Sequence, residues 1–220
     1  NKNRLHFLLE AVGMETFVEA IESFSGKTFE KSGEILAKEE FMLDENGHLE
    51  LNDALTAVHF SIPSGIFTGE NFIEVAKIAK EAEGEIRLSI EQSLFIITAP
   101  QNVEKVKSSL LYDNYSRYHN TYFNHQIACA GTATCSFGVI PNKPDAIEMA
   151  HFLSSEVAIE NANVRMNWSA CPKGCGVHGI ADIGLEGCKA KDSVGNRVDG
   201  VHIFVGGKIT REAQEAHALL

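Results

Sequence analysis

The sequence predicts an α+β fold, and three observations predict it. Strand-like and helix-like apolar spacings alternate over residues 57–112. Two close cysteine pairs come next, each among glycines and alanines. Short strand signals around one further helix fill the remainder.

The elements run in order. Leu5, Leu8, Leu9, Val12, Phe17, Val18 and Ile21 recur at roughly helical spacing and predict one helix, stopped by Ser23 to Gly26. The stretch to about residue 53 is polar and irregular, with a turn signal at Asp44-Glu45-Asn46-Gly47. Ala57 to Pro63 reads as a strand. Gly69-Glu70-Asn71 opens a helix with Phe72, Val75, Ala76, Ile78 and Ala79 on its apolar face, and Gly84 ends it. Ile86, Leu88 and Ile90 alternate with polar residues, and Leu94 to Ile97 makes a more buried strand closed by Pro100. Val103, Val106 and Leu110 begin another helix. This strand–helix–strand–helix unit, about 55 residues long, is small to stand alone and is expected to pack on something. The aromatic group Tyr112, Tyr115, Tyr118, Tyr122 and Phe123 is expected to pack between that unit and the cysteine-bearing region. A helix runs through Ile147, Ala150, His151 and Leu153. Val164 to Trp168, Ile180 to Leu185 and Val201 to Val205 are strands, with a polar loop at Lys189–Asp199 between the last two. The tail from Ile209 has helical character.

The chain has 220 residues, 44% of them hydrophobic and 22% charged, which is ordinary for a soluble globular protein. No apolar run reaches membrane-spanning length, and no leader peptide is visible, so no membrane is expected as a partner. The net charge of −11 argues against nucleic acid, whose phosphates need clustered Lys and Arg. Five cysteines, an odd count, do not suit a secreted disulfide framework. A reducing, cytoplasmic compartment with metal ligation fits better.

The cysteines carry the chemistry. Cys129-Ala-Gly-Thr-Ala-Thr-Cys135 has a C-x5-C spacing, and Cys171-Pro-Lys-Gly-Cys175 a C-x3-C spacing. Ala128, Ala130, Gly131, Ala133, Ala170, Gly174 and Gly176 surround them. Small neighbours let backbone approach a cuboidal iron–sulfur cluster and hydrogen-bond its sulfides. Pro172 and Gly174 suit a tight turn. Disulfides remain open as an alternative. So does zinc, although structural zinc pairs are usually about two to four residues apart, which C-x5-C exceeds. Cys188 has no partner in sequence and reads as a buried free thiol. His178 reads as a hydrogen-bonded structural residue rather than a ligand.

With these residues in hand, the sequence resembles the siroheme- and 4Fe–4S-dependent nitrite and sulfite reductase family. The resemblance rests on the two cysteine motifs in order, then Ile180-Ala-Asp-Ile-Gly-Leu-Glu-Gly187 and Val201-His-Ile-Phe-Val-Gly-Gly-Lys208. Upstream, Val58-His-Phe-Ser-Ile-Pro and Glu85-Ile-Arg-Leu-Ser-Ile-Glu-Gln92-Ser-Leu look like the family's ferredoxin-like half domain, and Asn3 to Val18 like the helix leading into the second half of such enzymes. The resemblance covers nearly the whole chain. It implies a helical lead-in and irregular segment at 1–49, a ferredoxin-like half domain at 50–112, and an α/β domain with a mixed sheet at 113–220 that binds a 4Fe–4S cluster and siroheme. It implies Cys129, Cys135, Cys171 and Cys175 as cluster ligands, with Cys175 also the axial ligand of siroheme. Arg87, Gln92 and, more weakly, Lys208 fall where the family contacts the siroheme carboxylates. The implied substrate is a small anion, nitrite or sulfite. The implied donor is ferredoxin or a flavoprotein, and the implied partner is an N-terminal half that holds the substrate. No catalytic residue is assigned in this chain. Two other readings stand beside it: a stand-alone iron–sulfur electron-transfer protein without siroheme, and a structural zinc-binding domain.

Overall fold

The computed structural model describes residues 5–30, 48–52, 54–116, 121–159, 164–209 and 213–219. The chain divides into two compact units, Asn1–Ala37 and Lys38–Leu220. Among the described residues no helix is long and apolar enough to cross a membrane.

The first unit holds α1 (Leu5–Val12) and α2 (Met14–Ser25). One continuous helix is expected here, but the chain breaks at Gly13, whose φ of 80° and ψ of 160° lie outside helical space. Glycine adopts that conformation without a Cβ penalty. Gly26, in the left-handed region at φ 68°, ends α2 by donating its N–H to Glu22 O.

The second unit contains two sheets. The first, in the order β1 (His48–Asn52), β2 (Leu55–Phe60), β4 (Leu94–Thr98), β3 (Glu85–Leu88), is antiparallel throughout. Val58, Phe60, Leu94 and Ile96 are fully buried against Val75, Ile78 and Ala79 of α3 (Gly69–Glu81), as the helical spacing predicts. Thr68 caps α3 by accepting from the Asn71 N–H at 3.1 Å. The helix expected from Val103 is two, α4 (Val103–Lys107) and α5 (Leu110–Tyr115), because the Ser109 hydroxyl accepts from Tyr112 N and starts a new helix. The irregular reading before residue 53 misses β1, whose Leu49 and Leu51 alternate with polar residues over only five positions. The turn signal at 44–47 lies outside the described residues.

The second sheet is mixed, in the order β5 (Gln126–Ala128), β6 (Met166–Ser169), β7 (Ile183–Lys191), β8 (Arg197–Val205), β9 (His217–Ala218). β5, β6 and β7 are parallel, and the two outer pairs antiparallel. α6 (Lys143–Glu156) makes the β5-to-β6 crossover, which a parallel pair requires. Ala128, Ile140, Ala146, Ala150, Met166, Trp168 and Leu185 form its core.

Two expectations do not hold, and a third is sharpened. The polar segment 189–199 is mostly strand: β7 and β8 pair to Lys191↔Arg197, closed by a turn in which Asp192 Oδ1 accepts from Val194 N and Asn196 N. Each arm of this hairpin end carries one apolar residue between polar ones, Ala190 and Val198, too few to read as a strand. In the tail, described residues form β9 and a bridge from Lys208 to Gln214 rather than a helix. Last, Tyr112 belongs to the first core and Tyr122 and Phe123 to the second, so the described members of the aromatic group divide between the two cores. Tyr118 lies outside the described residues.

Candidate metal centre

β5 and β6 lie side by side and parallel, with Ala128 opposite Trp168, so their carboxyl ends leave the sheet together. Ligand sites favour that edge of a parallel sheet. Cys129 follows β5 directly, and Cys171 follows β6 by two residues. The two chain ends are interlocked: Cys129 N donates to Trp168 O at 3.1 Å, and Ala170 N donates to Cys129 Sγ at 3.2 Å. Local pairing therefore brings the first cysteine of each motif together.

A single short 3-10 turn at Gly131–Ala133 carries the chain to Cys135, whose N–H returns to Gly131 O at 3.0 Å. Beyond it Gly138 N donates to Cys135 O. In the second motif Gly174 stands at φ 73° and closes onto Cys171 O at 3.3 Å. Val177 at φ 50° is a β-branched residue in left-handed space, a strain of about 1–3 kcal/mol held by its surroundings. Cys129, Cys135 and Cys171 are partly buried, and Cys175 is exposed.

Two of the glycines near the cysteines also have a packing reason, beyond the clearance expected for a cluster. A Cβ on Gly176 would stand 1.9 Å from Trp168 O, and one on Gly131 2.5 Å from Pro141 O. These glycines are needed where backbone packs directly on backbone. Only Gly174, whose Cβ would meet nothing nearer than His178 at 3.8 Å, keeps open space in front of it.

Among the described residues no three Cys, His, Asp or Glu side chains converge on one ion. Tetrahedral zinc asks four donors to meet at a single point. A cuboidal cluster takes one thiolate per iron, so its four ligands surround a larger object. Two partly buried thiols at interlocked strand ends, two more on the same loops and N–H groups already aimed at Cys129 Sγ fit that second demand. Cys188 is free, stands on β7 opposite Gly200, and belongs to neither loop.

Side chains that the sequence did not single out, with one that it read differently, secure β5. Gln92, at φ 60°, accepts from Ala128 N at 2.9 Å and donates to Ala128 O at 3.0 Å, so its amide copies a neighbouring strand. Ser64 donates to Gln126 Oε1 at 2.7 Å, and Gln126 donates to Ala146 O at 2.9 Å. Lys143 donates to Ser64 O. Burial lowers the Lys143 ammonium below its ordinary range, and the nearby Cys129 sulfur pushes it partly back. Asn142, fully buried, donates from Nδ2 to Cys129 O at 2.8 Å, Trp168 O at 3.1 Å and Cys129 Sγ at 3.4 Å. No local periodicity marks these residues, because each acts on chain distant in sequence.

Removing the Gln92 amide leaves the N–H and C=O of fully buried Ala128 without partners. Gln92→Ala is expected to cost about 2–3 kcal/mol in urea unfolding. An unchanged midpoint would remove Gln92 from the clamp.

The other sequence-nominated residues have partners outside the four cysteines. Arg87 lies on edge strand β3, exposed and paired with Glu85 at 2.7 Å. Lys208 is exposed beside its backbone bridge to Gln214. His178 is a structural residue here: Nδ1 meets Ser169 Oγ at 2.9 Å and Nε2 faces Glu186 at 3.3 Å, while Ser169 Oγ also accepts from Gly176 N. Burial lowers the His178 imidazole, and Glu186 and Glu215 only partly oppose it. A base so depressed binds fewer protons folded than unfolded, so its stability contribution is lost as pH falls below about 6.5. Melting temperature is expected to decline on acidification from that pH, and His178→Gln to flatten the decline. Equal slopes for parent and variant would contradict this.

The family description "Nitrite/Sulfite reductase ferredoxin-like half domain" matches residues 50–111. The chloroplastic ferredoxin–nitrite reductase of Oryza sativa subsp. japonica is 30% identical over 223 residues, covering 99% of this chain and 37% of the rice protein. The ferredoxin–nitrite reductase of Synechococcus elongatus is 30% identical over 217 residues, covering 96% and 41%. Among solved structures, the NirA protein of Mycobacterium tuberculosis has the same fold, with a TM-score of 0.82 at 22% identity over 99% of this chain and 41% of that one. The chain thus spans about two fifths of the length of these proteins. With its half-domain sheet and the mixed sheet beside it, the chain belongs to the nitrite and sulfite reductase family.

Proposed function

We propose that this chain is the iron–sulfur-bearing part of a ferredoxin-dependent nitrite reductase. Cys129, Cys135, Cys171 and Cys175 would hold a 4Fe–4S cluster, and the exposed Cys175 is the thiol that would also serve as ligand to a siroheme. When bound, that pair of cofactors supplies stepwise one-electron transfer for the six-electron reduction of a small anion. The chain's own part is to hold and orient. β5 and β6 set the spacing of Cys129 and Cys171, the Gly131 and Gly174 turns set the other two, and the Gln92 clamp keeps β5 in register. Arg87 and Lys208 are exposed cations suited to carboxylates of the macrocycle. Gln92 acts through β5. The domain that carries this site is 113–220, with the half domain at 50–112 as its support. Nitrite is preferred to sulfite, and ferredoxin to a flavoprotein, because the similar curated proteins are named ferredoxin–nitrite reductases.

The interlocked ends of β5 and β6, with Ala170 N on Cys129 Sγ, carry this reading. Anaerobic absorption spectra and metal analysis test it. Iron with acid-labile sulfide and a siroheme Soret band are expected. A colourless, folded protein with one zinc per chain would overturn the reading in favour of a structural zinc domain. A broad cluster shoulder without a Soret band in siroheme-replete protein would favour a plain electron carrier.

A further inference from the structure

We infer that Asn142 is a positioning residue that sets the reduction potential of the cluster by giving a side-chain N–H to the sulfur of Cys129. The inference rests on the cluster reading above. It starts from a residue that sits badly by local rules. Asn142 stands at φ 55° and ψ −70°, an unusual backbone for any side chain, and is fully buried at the entry to α6. What holds it there is its amide nitrogen, shared among Cys129 O, Trp168 O and Cys129 Sγ at 2.8, 3.1 and 3.4 Å. One side chain thereby ties together the ends of β5 and β6 and touches a ligand sulfur. Its Oδ1 has no partner among the described residues, so the site makes use of the donor end of the amide.

Further groups act in the same direction on the same atom. Ala170 N donates to Cys129 Sγ at 3.2 Å. The next residue, Lys143, places a partly buried positive charge in electrostatic contact with Cys129, and its ammonium is anchored on Ser64 O. Among the described residues none donates to the exposed Cys175 sulfur, so the polar stabilisation is concentrated on the Cys129 side. Reduction adds negative charge to a cluster, and hydrogen bonds and cations at its sulfurs favour the reduced form. Asn142 and Lys143 should both raise the potential, Asn142 through a contact bond and Lys143 through space.

The test is an anaerobic redox titration of the cofactor-replete protein, followed by electron paramagnetic resonance, for the parent, Asn142→Asp and Lys143→Met. At the parent midpoint the reduced-to-oxidised ratio is expected to fall about tenfold in Asn142→Asp, which is about 59 mV for a one-electron couple, and a few-fold in Lys143→Met. Parent midpoints in both variants at full iron content would overturn the inference. Should Asn142→Asp fail to assemble, the parent decides. Protein grown with side-chain-amide 15N asparagine is expected to show a 15N coupling to the reduced cluster, and its absence would overturn the inference. A parent protein with no cluster signal would instead sink the cluster reading, and the inference with it.

Discussion

Cys129→Ser and Cys171→Ser are each expected to abolish the iron–sulfur absorbance, while Cys188→Ser retains it in full. A serine hydroxyl does not ionise near neutral pH and gives iron no thiolate. Cys129 and Cys171 occupy the ends of paired strands, so neither loop can move a substitute donor into place without breaking the Ala128–Trp168 pairing. Cys188 sits within β7, in register with Gly200, and belongs to neither cysteine loop. Iron and acid-labile sulfide per chain, measured on anaerobically reconstituted protein, give the answer. Loss of both in Cys188→Ser would show that the ligand set is wrong. Cys175→Ser should weaken the cluster and, under the proposed function, also remove the siroheme coupling.

Gly176→Ala is expected to be almost as damaging, although it removes no ligand. The added methyl would stand 1.9 Å from Trp168 O, a backbone atom inside the sheet. That oxygen also accepts from Cys129 N and Asn142 Nδ2, so displacing it loosens both cysteine loops together. Overpacking against backbone has no flexible side chain to absorb it, and about 3 kcal/mol is a reasonable cost. For a domain of this size that corresponds to roughly 10 °C in melting temperature, with reduced cluster loading. Gly69→Ala is the control, since its Cβ would meet nothing within 4 Å and its backbone is not left-handed. Equal melting temperatures for the two variants would refute the packing argument.

These glycines mark the boundary of a linear reading. Gly131 and Gly176 look like clearance for a cofactor because they are small and near cysteines. Their actual neighbours, Pro141 O and Trp168 O, are distant in sequence or on the preceding strand, and only folding brings those oxygens against them. Likewise the alternation at 86–90 marks a strand, but not that β3 is an edge with Leu88 78% exposed. β5 has only three residues, too few for any period to register, yet it is the strand that delivers Cys129. The break at Gly13 is visible as a residue but outweighed by the apolar spacing on either side.

By itself the sequence determined where to look for metal ligation, four cysteines in two motifs, and several main elements, among them β2, α3, β4, α6 and β6. Those properties depend on residue type and on spacing within a few turns of chain. The tertiary structure decided which sulfur is served by N–H groups and which is left exposed, why the glycines are obligatory, and that Gln92, Asn142 and Lys143 stand behind the cysteines. These depend on contacts across 13 to 79 positions of sequence, such as Asn142 to Cys129 and Lys143 to Ser64, and no local pattern encodes a distance of that kind.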